Sequence, residues 1–214
     1  MVVGDDKVNK NIINFYIITN KLKDKIRSGW KQLKISSDRL ESVAEHIYGC
    51  LMLAIAIDSE YKLELDMYKV IKMIALHELE ETIMEDYTIR DGITKDEKIK
   101  LGKECVNRVT HGLIKKNEIV ALLDEFTERQ TKEAIFCYHI DKIECNFQAK
   151  LYDLRGQFSL EEAIEDAKCY MNKDDFVVKE GSTASDIGIE YDKIYFKDDK
   201  LFEDLINDIQ DVVL

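Results

Sequence analysis

Four histidines occur in the 214 residues, at positions 46, 77, 111 and 139. Two of them stand in settings that suit chemistry. His46 ends RLESVAEH, at the entrance to a strongly apolar stretch, and His77 ends the apolar run MIAL and is followed at once by the acids of HELEE. Carboxylates beside an imidazole on a buried element are costly unless a positive group compensates them, and a metal ion is such a group. His77 and Glu78 can converge on one ion, and Glu81 lies four residues after His77, where a helix would bring it round to the same face. An acid or base acting beside the ion belongs there. Asp141, in CYHIDKIECNFQAKLYD, lies among residues with a packed helical pattern and needs a partner. The ion and Lys142 are equally good candidates for it. His111 and His139 lack an acidic constellation of this kind and read as structural.

The elements that must position these residues are helical. Residues 8–26 read as a helix with Ile12, Ile13, Tyr16 and Ile17 on a stripe that Phe15, Ile18, Leu22 and Ile26 widen. Gly29 then breaks the pattern. A central helix is expected from Ser37 or Asp38 to Ile57, a third from Asp66 to Glu85, and a fourth over 95–113. A shorter helix follows over 117–126, a long one over 131–154 ending at Gly156, and a last one over 198–213. Residues 172–200 hold Gly181, Ser182, Thr183, Ser185 and Gly188 between Phe176-Val177-Val178 and Ile194-Tyr195-Phe196. They read as a surface loop or a small hairpin. The expected class is a single all-α domain of six or seven helices over 1–214, with its motif-bearing core over about 10–155 and a C-terminal extension over about 172–214.

Composition limits the partners. There are 31 Lys and Arg against 43 Asp and Glu, a net charge of −12, and no basic block. A polymeric nucleic acid, whose affinity rests on phosphate neutralisation, is not expected. A small phosphorylated substrate, held locally by a metal and one or two basic residues, remains. No apolar run is long enough to span a bilayer, and the acids at Asp5 and Asp6 do not suit a secretory signal. Five scattered cysteines, without a CxxC pair, read as reduced thiols in a cytoplasmic protein.

Four ordered segments, RSGW (27–30), ESVAEH (41–46), HELEETIMED (77–86) and DKIECNFQAKLY (141–152), resemble the HD-domain metal-dependent phosphohydrolases. The likeness is to the branch of 5′-deoxynucleotidases and their oxetanocin-related relatives, and it covers roughly residues 10–155. It implies an HD-type helical fold and one divalent ion (Mn, Fe, Co, Ni or Zn). His46, His77 and Asp141 match ligand positions. Glu78 stands where that family has Asp, keeping the charge on a side chain longer by about 1.5 Å. Glu81 matches the catalytic glutamate, and Asp86 an acid near the leaving group. Arg27 and Trp30 match residues that meet the phosphate and the sugar or base. Glu41 matches a position with a structural role, and Glu85 replaces a frequent Gly. The resemblance implies release of phosphate from a nucleoside 5′-monophosphate. The change at Glu78 motivates one alternative, a non-catalytic nucleotide-sensing or interaction module; the range of substrates that share the family's metal site motivates another, hydrolysis of a different small phosphoester. A homodimer is compatible with the resemblance, but no seam in the sequence marks one.

Overall fold

The computed structural model describes residues 6–88, 91–169, 178 and 181–213. Among these the regular structure is entirely helical: α1 (Asp6–Thr19), α2 (Ser28–Gln32), α3 (Val43–Glu60), α4 (Met67–Leu76), α5 (Lys95–Val109), α6 (Lys116–Glu128), α7 (Lys132–Leu154), α8 (Leu160–Ala167), α9 (Ala184–Asp192) and α10 (Lys200–Gln210). Short 3₁₀ turns span Asn20–Lys23, Leu79–Thr82 and Lys193–Phe196. The all-α class is as expected, with more and shorter helices than the sequence pattern suggested. None of the described helices is long and apolar enough to cross a membrane.

The chain groups into two compact units. The first comprises residues 1–26, 42–87 and 91–138. Its α3 is capped at Ser42, not at Ser37 or Asp38, because Ser42 closes a capping box. The Glu45 N–H donates to Ser42 Oγ at 3.3 Å, and the Ser42 N–H donates to Glu45 Oε2 at 2.9 Å. A cap of this kind contributes ~1 kcal/mol. From that start, Val43, His46, Cys50, Ala54 and Ile57 fall on one buried stripe, the three- and four-residue spacing of a helix face. His46 is therefore a core position of its helix.

α1 packs through only one side of the broad face expected from the sequence. Ile12, Ile13, Tyr16 and Ile17 are each more than half exposed. Phe15 and Ile18, on the other side, pack against the cluster of Leu79, Val106, Val109 and Leu123. The sequence shows apolar residues on both sides of α1, so periodicity alone does not choose between them.

The second unit comprises residues 27–41, 88–90 and 139–214. Gly29 does not interrupt structure here; it lies inside the short α2, whose entry is set by extended backbone at Arg27 (φ −58°, ψ 125°). Trp30, Ile35 and Tyr152 form one buried cluster. Among the described residues of 172–200, the expected loop or hairpin gives way to helix. Phe176 and Val177 lie outside the described residues, and Ile194-Tyr195-Phe196 form a 3₁₀ turn after α9. Thr183 caps α9 with Asp186 as its third helical residue, a helix start that a loop-like composition conceals. Phe196 is fully buried and stacks on Phe202, with centroids 5.7 Å apart. His139 is structural as expected: its Nδ1 lies 3.0 Å from Asp199 Oδ2 and its ring meets both phenylalanines edge-on.

Candidate metal centre and substrate segment

In the first unit the site is built where α4 ends. His77 is the C-terminal cap of α4 (φ −63°, ψ −20°), and at Glu78 the backbone leaves helical geometry (φ −106°, ψ 21°). The expected continuous helix to Glu85 is replaced by the 3₁₀ turn Leu79–Thr82. This places Glu81 differently from the expected helix. A 3₁₀ helix has three residues per turn, so Glu81 comes round beneath Glu78 rather than beneath His77. The Glu81 N–H donates to the Glu78 carbonyl at 3.1 Å. Glu81 is buried; Asp86, past the turn, is half-buried.

His46 and His77 meet with their Nε2 atoms 3.4 Å apart. His77 Nδ1 lies 2.7 Å from the Ile74 carbonyl oxygen. A carbonyl can only accept, so Nδ1 carries the proton and Nε2 presents a lone pair toward His46. Orientation of a ligand imidazole through its other nitrogen is a common feature of metal sites. Phe126 packs edge-on against the same ring at 5.6 Å. Glu78 Oε1 lies 3.8 Å from His46 Nε2 and 3.7 Å from His77 Nε2. Two nitrogens ligating one ion at tetrahedral angles lie about 3.4 Å apart. Two buried imidazoles and a carboxylate at these separations fit a borderline divalent ion. Glu78, despite its extra methylene, brings its oxygen to both histidines.

One residue of this site carries no motif signal. Lys25, with its side chain largely buried, donates from Nζ to the Glu81 carbonyl at 2.8 Å and to the Met84 carbonyl. It clamps the turn that presents Glu81 and leads to Asp86. A lone lysine between helical pieces has no periodicity or spacing that would single it out.

The remaining candidates lie in the second unit. Asp141 sits on α7 with Oδ2 2.9 Å from Lys142 Nζ, so the ion pair considered from the sequence is present. Arg27 precedes α2, and its Nη2 donates to Cys145 Sγ at 3.0 Å. Trp30 is buried rather than presented as an open face. Its Nε1–H donates to Glu41 Oε2 at 2.8 Å, and its ring meets Tyr152 edge-on at 5.3 Å. Cys145 is half-buried, Cys50, Cys105 and Cys137 are buried, and Cys169 is exposed; none forms a disulfide.

Glu144, buried on α7, has its acid pushed up to about 9, chiefly by burial, then by the charge of Glu41, with Arg27 opposing. A hydrogen bond with the Glu41 side chain also raises it, so the pair retains a proton. An unfolded Glu ionises near 4.5, so the fold holds a proton that the unfolded chain releases. That contribution to stability is complete below about pH 4.5 and is lost as pH rises toward about 9. Glu144→Gln keeps the donor without the charge. Its denaturation midpoint, relative to the parent protein, is expected to rise steadily from pH 5 to pH 9. A constant offset across that range would contradict the protonated Glu144.

Among the described residues the scaffold is all-helical, and its two buried imidazoles with an adjoining carboxylate can hold a divalent ion. Residues 19–181 match the HD domain family. The chain belongs to that family and is a metal-dependent phosphohydrolase. Among its relatives is the 5′-deoxynucleotidase HDDC2 of Dictyostelium discoideum. That protein is 33% identical over 150 residues, an alignment covering 67% of this chain and 78% of the relative. The 5′-deoxynucleotidase hdd1 of Schizosaccharomyces pombe is 27% identical over 160 residues, covering 72% and 77%. Solved structures with the same fold include the PH0347 protein of Pyrococcus horikoshii, at TM-score 0.62 and 24% identity. That match covers 93% of this chain and 98% of the other. A predicted metal-dependent phosphohydrolase from Magnetospirillum magnetotacticum aligns at TM-score 0.66 and 18% identity, covering 99% and 95%.

Proposed function

We propose that this chain releases phosphate from deoxynucleoside 5′-monophosphates, using one divalent ion held by His46, His77, Glu78 and Asp141. The carrying observation is the His46–His77–Glu78 donor set, two buried imidazoles and a half-buried carboxylate with separations of 3.4, 3.7 and 3.8 Å, at the positions where the motif resemblance puts ligands. The names of the relatives support the nucleotide substrate. Residues 1–214 are taken as one HD-type domain, since the family match runs through both units.

A bound ion of this kind supplies Lewis-acid polarisation of the phosphoryl group and acidifies water beside it. The chain's own residues do the rest. Glu81 accepts the proton of the attacking water, and Asp86 returns one to the leaving 5′-oxygen. Arg27 neutralises phosphate charge. Trp30, buried against Tyr152, is the apolar residue that the motif resemblance assigns to sugar or base.

The test is a panel of deoxy- and ribonucleoside 5′-monophosphates and non-nucleotide phosphoesters, each with Mn, Fe, Co, Ni and Zn. Phosphate release above a His46→Ala control, strongest with deoxynucleotides, is expected. No release under any combination would overturn the proposal. Glu78→Asp separates an adapted enzyme from a nucleotide-sensing pocket. The reach of Glu78 Oε1 to both histidines favours the enzyme, so turnover in this variant is expected to stay level or fall. A large gain would favour the sensing pocket.

A further inference from the structure

The two ends of the segment that carries Arg27 and Trp30 come together at Glu41. The Arg27 N–H donates to the Glu41 carbonyl at 3.1 Å, so backbone pairing joins the two ends of residues 27–41. The Glu41 side chain then reaches both of the residues read as substrate contacts. Its Oε2 accepts from Trp30 Nε1 at 2.8 Å and lies 4.0 Å from Arg27 Nε. The Glu41 N–H donates to Tyr152 Oη at 2.8 Å, and Tyr152 is the aromatic neighbour of Trp30.

A tryptophan N–H needs only a neutral acceptor, and glutamine would serve. An acid buried to 7% exposure is costly without a positive partner. Arg27, with a side chain 16% exposed, is that partner. The guanidinium is thus held at two points, Nε toward Glu41 and Nη2 on Cys145 Sγ. A planar fork held in this way presents a fixed edge, which suits bidentate recognition of a phosphate.

We propose that Glu41 is a positioning residue for substrate binding: one carboxyl oxygen registers Arg27 against Trp30, and so phosphate against nucleoside. The proposal deepens the reading of Arg27 and Trp30 as substrate residues and rests on it. Glu41 touches no reacting atom; it acts through its two neighbours.

The experiment compares metal-loaded parent protein, Glu41→Gln, Arg27→Gln and the double variant. Inorganic phosphate binding is followed by calorimetry, and a deoxynucleoside monophosphate is followed by steady-state kinetics. Glu41→Gln is expected to weaken phosphate binding and raise KM about tenfold each, one factor of ten being ~1.4 kcal/mol. Its kcat should stay within about threefold and its metal content unchanged, a split that a collapsed site would not give. The phosphate losses in Glu41→Gln and Arg27→Gln should not add in the double variant, because both act through one guanidinium. Phosphate affinity within twofold of the parent in Glu41→Gln, or full additivity in the double variant, would overturn the proposal. Should Glu41→Gln not fold, Glu41→Asp decides. Its shorter acid draws the oxygen away from both donors, and a loss of at least threefold is expected, with none contradicting it. Calorimetry reads the Glu41–Arg27 coupling even if no deoxynucleotide is turned over, so failure of this inference and failure of the proposed activity give different results.

Discussion

Glu81→Gln is expected to lower kcat for the best deoxynucleotide by about 10²- to 10⁴-fold, the range general-base catalysis contributes. KM and bound metal should change little. The reasoning is local. Glu81 is 2% exposed and sits on a 3₁₀ turn whose geometry aligns it with Glu78, not with the helix that carries His77. The Lys25 clamp on the Glu81 and Met84 carbonyls holds that turn from below. Glutamine preserves the size and can still accept a hydrogen bond, but it cannot take up a proton at neutral pH. A kcat within threefold of the parent would remove Glu81 from the chemistry and leave it as a packing residue of the turn.

His46→Ala is expected to bring phosphate release to background and to abolish stabilisation by added divalent metal. His46 is fully buried on the inward stripe of α3, and its Nε2 is 3.4 Å from that of His77. Removing it takes away one of the two imidazoles and leaves His77 and Glu78 facing a cavity. A ligand at one hundred times its dissociation constant raises folding stability by ~2.7 kcal/mol. The parent protein should therefore melt several degrees higher with saturating metal than without it, and His46→Ala should show no such rise. Each comparison is made within one variant, so the ordinary cost of a core cavity does not enter. Metal-dependent stabilisation of His46→Ala equal to the parent's would place the ion elsewhere.

Much of the site is legible in the sequence because its residues mark themselves chemically. An imidazole next to acids after an apolar run, as at His77-Glu78, advertises itself without knowledge of the fold. So does Ser42-x-x-Glu45, whose capping box fixes the start of α3 and which a choice of Ser37 or Asp38 overlooks. Other features depend on contacts that one segment cannot reveal. Whether α1 packs through Ile12 and Tyr16 or through Phe15 and Ile18 is decided by the cluster around Leu79 and Val109, which comes from later in the chain. The end of α4 at Leu76 is hidden because HELEE has good helix propensity; tertiary packing, including the Lys25 clamp, overrides it. The serine- and glycine-rich stretch before Ile194 reads as a loop, yet α9 starts there from the Thr183 cap, and buried Phe196 holds its end. Trp30 carries a motif signal but no hint of its burial. Its link to Glu41, eleven residues away, appears only when residues 27–41 close on themselves.

The central claim of the proposed function is that one divalent ion binds at His46, His77 and Glu78. X-ray absorption spectroscopy of protein purified with its own metal, together with elemental analysis, tests it most directly. The account predicts one ion per chain with two imidazole nitrogens and carboxylate oxygens in its first coordination sphere, and loss of that ion in His77→Ala. An ion retained in His77→Ala, or a coordination sphere without imidazole, would contradict it.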